Sequence, residues 1–190
     1  MWLLELDKTI TFWLYKEQLS EQVNYLASYF IYLLPLSLIY LFFHSYKDRL
    51  VAIKVLIISI FSWKVLSYLT GLISYNYFEF RDRPFATYGI KELFFERPEK
   101  AFPSDHAALL ATATLCFFYY KYPRLGWFFL IGGVIVSSFA RVVIGFHWFG
   151  DVVGGWVIGL IAFGVLTIFD RSINIFLEKF LLFRGNVKKV

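Results

Sequence analysis

The chain has 190 residues, of which 59% are hydrophobic, 22% aromatic and only 17% charged, with a formal charge of +5. A soluble domain carries about 45–50% apolar and about 25% charged residues, so the composition points to an integral membrane protein and excludes a disordered chain. The lone Cys116 excludes a disulfide scaffold, and a positive charge spread along so oily a chain excludes nucleic acid as the expected partner.

In chain order, residues 1–21 mix Trp2, Leu6, Phe12 and Trp13 with Glu5, Asp7, Lys8 and Lys16. The charges make this a poor span and predict an interfacial amphipathic helix. A cleaved leader would want a basic start and an unbroken apolar run, and neither is present. A crossing helix needs about 20 apolar residues. Five stretches meet or approach that. The first centres on Ala27 to Phe43, with Pro35 expected to kink it. The second runs from Leu50 to Tyr75 and carries Lys54, near enough to one end to snorkel, and Lys64, expected to pack inward on a polar partner. The third, Ala107 to Tyr120, reaches spanning length only if it starts at Ser104 and ends near Tyr122. The fourth runs from Leu125 to Gly145, and the fifth, Val152 to Phe169, is free of charge. Residues 170–190 read as an amphipathic cytoplasmic extension of the last helix. The expected fold is therefore all-α: a polytopic membrane bundle of five transmembrane helices, in one domain over 1–190.

Five spans place the N-terminus, the long segment 77–103 and the short segment 146–151 on one face. Lys64 aside, ten basic residues fall on the opposite side and eight on this one, a positive-inside bias that puts the long segment outside the cytoplasm.

Polar residues near these ends need a reason. His44 lies on the other face and reads as an interface residue. His147 and Asp151 are four apart and would share a helix face. A carboxylate on one imidazole nitrogen fixes the tautomer and aims the other nitrogen, as in a nucleophile or general base. The plain alternative is an Asp151 helix cap beside an unrelated His147. Arg141, six residues before His147, offers a fork of donors suited to phosphate. Pro103-Ser104 opens a helix that Ser104 can cap, and a helix N-terminus attracts anions. His106 follows at once, and Arg83-Pro84 supplies a second guanidinium. A phosphate is the simplest ligand for this set. A metal held by His106, His147, Asp151 and Asp105 is the chemical rival, but two arginines beside it would repel a dication.

These residues resemble the type-2 phosphatidic acid phosphatase family, with its motifs K-x6-R-P, P-S-G-H and S-R-x5-H-x3-D. The second reads Pro103-Ser104-Asp105-His106 and the third Ala140-Arg141, five residues, His147, three residues, Asp151. The first reads Asn76, six residues, Arg83-Pro84, so an asparagine stands in the lysine position; Lys91 with Arg97-Pro98 is a decoy one residue short. The string RDRPF followed by FPSDHAA looks like the bacterial undecaprenyl-pyrophosphate phosphatase branch. The resemblance implies a phosphohistidine on His147, oriented by Asp151, with His106 protonating the leaving oxygen. Arg83, Arg141 and Ser104 would hold the phosphoryl oxygens, with Asn76 a weaker donor. It implies no metal and no cofactor, and a lipid phosphate as partner at the outer face of the inner (plasma) membrane. Undecaprenyl pyrophosphate is the first substrate, with lipid A 1-phosphate and phosphatidylglycerophosphate as alternatives. The rivals are a non-catalytic binder of phospholipid headgroups and a vanadate-dependent peroxidase; five spans without a large soluble domain argue against the latter. Gly155 and Gly159, spaced GxxxG, read as a helix-packing stripe.

Overall fold

The computed structural model describes residues 2–16, 21–77, 82–84 and 101–185. Among the described residues every regular element is helical. The first is α1 (Trp2–Leu14). The next span joins α2 (Glu21–Tyr29) and α3 (Leu33–His44) through a 3₁₀ turn at Phe30–Tyr32. Pro35 lacks the N–H that would bond the Ile31 carbonyl, and the chain tightens just ahead of it.

A third element joins α4 (Tyr46–Ile60) and α5 (Tyr68–Tyr77) through a π-helix at Phe61–Ser67. Ser45 caps it, accepting from Asp48 N–H at 3.1 Å. Then come α6 (Asp105–Tyr119), α7 (Pro123–Phe128), a second π-helix at Phe129–Ser137, α8 (Ser138–Val143) and α9 (Phe149–Gly185).

Among the described residues, four helices are long and apolar enough to cross a membrane: Val23–His44, Tyr46–Asn76, Pro123–Val143 and Phe149–Lys179. The chain is a multi-pass membrane protein. The fifth expected span, α6, has 15 residues, about 22 Å at 1.5 Å per residue against about 30 Å of hydrocarbon, shorter than the other four. It is an enclosed central helix, with Leu110, Ala113, Cys116 and Phe117 all in the main apolar core. The last helix continues unbroken through the start of the predicted amphipathic tail.

Glycines let α9 approach α6. A Cβ on Gly155 would lie 2.5 Å from Ser104 O, and one on Gly159 would lie 2.7 Å from Ala111 Cβ and 2.8 Å from Ala108 O. The GxxxG stripe thus presses α9 onto the first turns of α6.

Two lysines differ from expectation. Lys54 does not snorkel; it is 4% exposed, paired to Asp170 at 2.7 Å and lying over the Tyr120 ring. Its partner is brought by α9, beyond the uncharged run. Lys64 does not pack inward; it is exposed, with Nζ 3.7 Å from the Trp63 ring centroid. The π-helix explains this. In an α-helix residues five apart are about 140° apart around the axis, whereas i→i+5 winding brings them to within about 50° of each other. Ser62 and Ser67 therefore both face inward and are fully buried, while residues 63–65 face out. Ser62 Oγ accepts from Thr112 Oγ1 at 2.9 Å, and Ser67 Oγ donates to Asp105 on the same helix. His44 is exposed and stacks on Tyr40.

The glycine contacts make a matched prediction. Gly159→Ala should destabilise by about 1–3 kcal/mol through overpacking. Gly164→Ala, where nothing lies within 4 Å, should be neutral or stabilise by up to about 1 kcal/mol. Thermal unfolding in detergent checks this; equal midpoints for the two variants would contradict the packing account.

Candidate active site

The site begins where α8 ends. Gly145 has φ 77°, a left-handed conformation that glycine adopts without a Cβ penalty. Its N–H donates to Val142 O at 3.0 Å, and the Phe146 N–H donates to Arg141 O at 2.9 Å. This is a Schellman reversal. It gives the five-residue gap a physical meaning: the chain doubles back, and the His147 N–H also reaches Arg141 O, at 3.2 Å.

The next helix starts at once. His147 lies in the turn, not on a shared helix with Asp151, yet the two meet: Nδ1 is 3.3 Å from Asp151 Oδ2. Asp151 is the third residue of α9, and Oδ2 also accepts from the Trp148 N–H at 2.9 Å. That is the reach-back half of a capping box, worth about 1 kcal/mol. The cap and the imidazole partner are one carboxylate, so the two alternatives read from sequence coexist.

His147 Nε2 faces two cations. Arg83 Nη1 lies at 3.3 Å and Arg141 Nη2 at 3.2 Å. Guanidinium groups only donate, so Nε2 accepts, and the proton sits on Nδ1 toward Asp151. Each guanidinium is also held by a carbonyl: Arg83 Nη1 donates to Phe146 O at 2.8 Å and Arg141 Nη1 to Ala27 O at 2.9 Å. Relative exposure is 2% for His147, Asp151 and Arg141 and 7% for Arg83. Two buried guanidinium groups around one imidazole present several N–H donors, which suits an anion with several oxygens.

Trp148 fixes the segment that carries Arg83, donating from Nε1 to Asp82 O at 2.7 Å. The α6 N-terminus joins from the other side, with the Ser104 N–H donating to Asp151 O at 2.9 Å. Ser104 occupies the N-cap position but its side chain does not cap. Its Oγ is fully buried, and nothing among the described residues hydrogen-bonds it. Asp105 is tied to Ser67. His106 is partly buried one residue further along, on the first turn of α6.

The structure thus joins His147, Asp151, Arg83 and Arg141 directly, and Ser104 through its backbone. It does not bring Asn76 to them: that side chain is exposed and donates to Leu72 O of its own helix at 2.8 Å. Lys91, Arg97 and Pro98 lie outside the described residues. No group of three or more His, Cys, Asp or Glu among the described residues is placed to hold a metal.

Sequence reasoning missed four residues. Gly145 carried a local signal, a glycine just past a helical run. Trp148 sat beside a named histidine. Asp7 and Thr11 gave none, because their partners lie far along the chain: Gly150 N–H donates to Asp7 Oδ1 at 2.8 Å and Phe149 N–H to Thr11 Oγ1 at 3.0 Å.

Comparison with known proteins identifies the family. The PAP2 superfamily profile matches residues 55–174. A Bacillus licheniformis protein named bacitracin transport permease protein BcrC is 30% identical over 147 residues, covering 76% of this chain and 68% of that one. A Bacillus subtilis protein named undecaprenyl-diphosphatase BcrC is 32% identical over 99 residues, 51% of this chain and 47% of its own length. An undecaprenyl-diphosphatase of Sulfolobus acidocaldarius is 32% identical over 59 residues, 31% of this chain and 28% of its own. No solved structure matches with significance. The chain belongs to the PAP2 superfamily, and is a membrane phosphatase.

Gly145→Ala forces a Cβ into the left-handed region, a cost of about 1–2 kcal/mol. It should lower the unfolding midpoint and phosphatase turnover together, while Gly145→Asn, which tolerates that conformation, should keep more of both. An alanine variant equal to wild type would contradict the assigned turn.

Proposed function

We propose that this member of the PAP2 superfamily hydrolyses a lipid pyrophosphate, undecaprenyl pyrophosphate first among candidates, at the outer face of the plasma membrane through a phosphohistidine. The observation that carries the mechanism is the placement of His147. Its Nδ1 lies 3.3 Å from Asp151 Oδ2, and its Nε2 lies 3.3 Å from Arg83 Nη1 and 3.2 Å from Arg141 Nη2. With the proton on Nδ1, the Nε2 lone pair is the one left to attack phosphorus. The substrate reading rests on the two relatives named as undecaprenyl-diphosphatases.

In the first step His147 Nε2 attacks the terminal phosphorus. An N–P bond forms and the bridging P–O bond breaks. The leaving undecaprenyl phosphate takes a proton from His106. In the second step water attacks the phosphohistidine; its O–P bond forms, the N–P bond breaks, and inorganic phosphate leaves. His106 accepts the water proton, so the site returns to its starting state. Throughout, Asp151 steadies the positive charge that grows on the imidazole.

Arg83, Arg141 and the Ser104 hydroxyl take the phosphoryl oxygens. Phosphoryl transfer needs positioning and charge stabilisation above all, and preorganised donors in a water-poor site supply both. The reading needs no metal, because the guanidinium groups together with the α6 N-terminus would do the work of a metal ion. Orientation follows the excess of basic residues on the opposite face.

The test is phosphate release in detergent micelles from undecaprenyl pyrophosphate, lipid A and phosphatidylglycerophosphate. His147→Asn should lose on the order of 10³ or more in turnover. Arg141→Lys, which keeps the charge but loses the fork, should lose on the order of 10². EDTA should leave wild type unchanged. Full turnover by His147→Asn would end the phosphohistidine reading; loss on EDTA with recovery on a divalent ion would end the metal-free one.

A further inference from the structure

The first turn of α9 has four N–H groups to satisfy, and Trp148 at its N-cap has no side-chain acceptor. Asp151 serves the Trp148 N–H, and Trp148 O serves that of Asp151. The remaining two, on Phe149 and Gly150, donate to Thr11 and Asp7 of α1. A helix near the start of the chain therefore caps the helix on which the imidazole partner sits. The chain just past α1 holds the other side of the turn: the Lys16 N–H donates to Val143 O at 3.1 Å, at the last residue of α8. Phe12 stands edge-on to Trp148, with centroids 6.4 Å apart. Thr11 is 1% exposed, although the outer face of α1 shows Leu4, Leu6 and Trp13 to the surroundings.

We infer that α1 is a strap that sets the geometry of His147, and that Thr11 and Asp7 are positioning residues for the phosphatase reaction. The inference rests on the reading of His147 as nucleophile. The turn 144–148 is pinned on both sides by the same N-terminal segment, α1 and the two residues after it, and neither pin touches the reacting atoms. Asp7 also occupies the α9 N-terminus with a carboxylate. An incoming phosphate is thereby left to the arginines and the α6 N-terminus rather than to α9. Gly150 fits this arrangement, since a Cβ there would lie 2.8 Å from Asp7 Oδ2.

Misplacing a reacting group by about 1 Å costs on the order of 10² in rate. Loosening one of two pins should cost less. Thr11→Val, which removes the acceptor, should lower kcat by about tenfold per folded enzyme with KM nearly unchanged. Thr11→Ser should restore it. Gly150→Ala, which pushes Asp7 aside and leaves Thr11 intact, should lower kcat similarly and covers the case in which Thr11→Val fails to fold. The ¹⁵N signals of the His147 ring, assigned by their loss in His147→Asn, should shift in Thr11→Val and Gly150→Ala and return in Thr11→Ser.

Wild-type kcat and unshifted signals in the folded variants would overturn the inference, as would a Thr11→Ser as impaired as Thr11→Val. Wild type and His147→Asn run beside them separate the two ideas. If His147→Asn keeps full turnover, the nucleophile reading fails, while the ring signals still decide whether α1 positions the turn.

Discussion

Two buried guanidinium groups, on Arg83 and Arg141, meet at one nitrogen of His147. Like charges so close repel, and burial away from water makes each more costly. They stay because each has a fixed partner besides the imidazole: the Phe146 carbonyl for one and the Ala27 carbonyl for the other. Much of the fold supplies those partners. The span that begins with α2 brings Ala27, the glycine reversal brings Phe146, and α9 brings the Asp151 carboxylate. In the proposed reading, the N–H donors held in this way are what a phosphate would meet.

Close helix approach is the second requirement. Gly155 and Gly159 let α9 lie against α6, and this contact carries the Ser104 N–H to the Asp151 carbonyl. The π-helix at Phe61–Ser67 turns Ser62 and Ser67 onto one face, and both are tied to α6. The far end is held by different chemistry. There Lys54 pairs with Asp170 beside Tyr120, and Tyr122 donates to Asp48. Polar groups therefore gather at the two ends of the bundle, with the apolar core of Leu41, Val55, Leu110 and Phe117 between them.

What could be read from sequence followed the range of each interaction. His147, Asp151 and Arg141 were legible because one tight turn and one helix start relate them, over 11 residues. The glycine stripe was legible because its spacing matches a helix face. Lys54 and Lys64 were misjudged because their environments depend on a residue 116 positions away and on a change from α to π winding. The enclosure of α6 was not legible, because hydropathy marks the segment as apolar without saying that other helices surround it. Asn76 looked placed by its spacing to Arg83, yet it points out and bonds its own helix. Asp7 read as one of the charges of an amphipathic helix and Thr11 was not singled out; only the folded chain brings them to the α9 N-terminus.

The proposed covalent step is the claim on which the functional account turns. Turnover of undecaprenyl pyrophosphate can be stopped within its first cycles by alkali, which preserves a phosphoramidate bond, and the peptides analysed by mass spectrometry. The account predicts a phosphoryl group on His147 that disappears when substrate is exhausted and is absent from His147→Asn. Sustained hydrolysis with His147 unmodified, or a phosphoryl group carried by another residue, would contradict it.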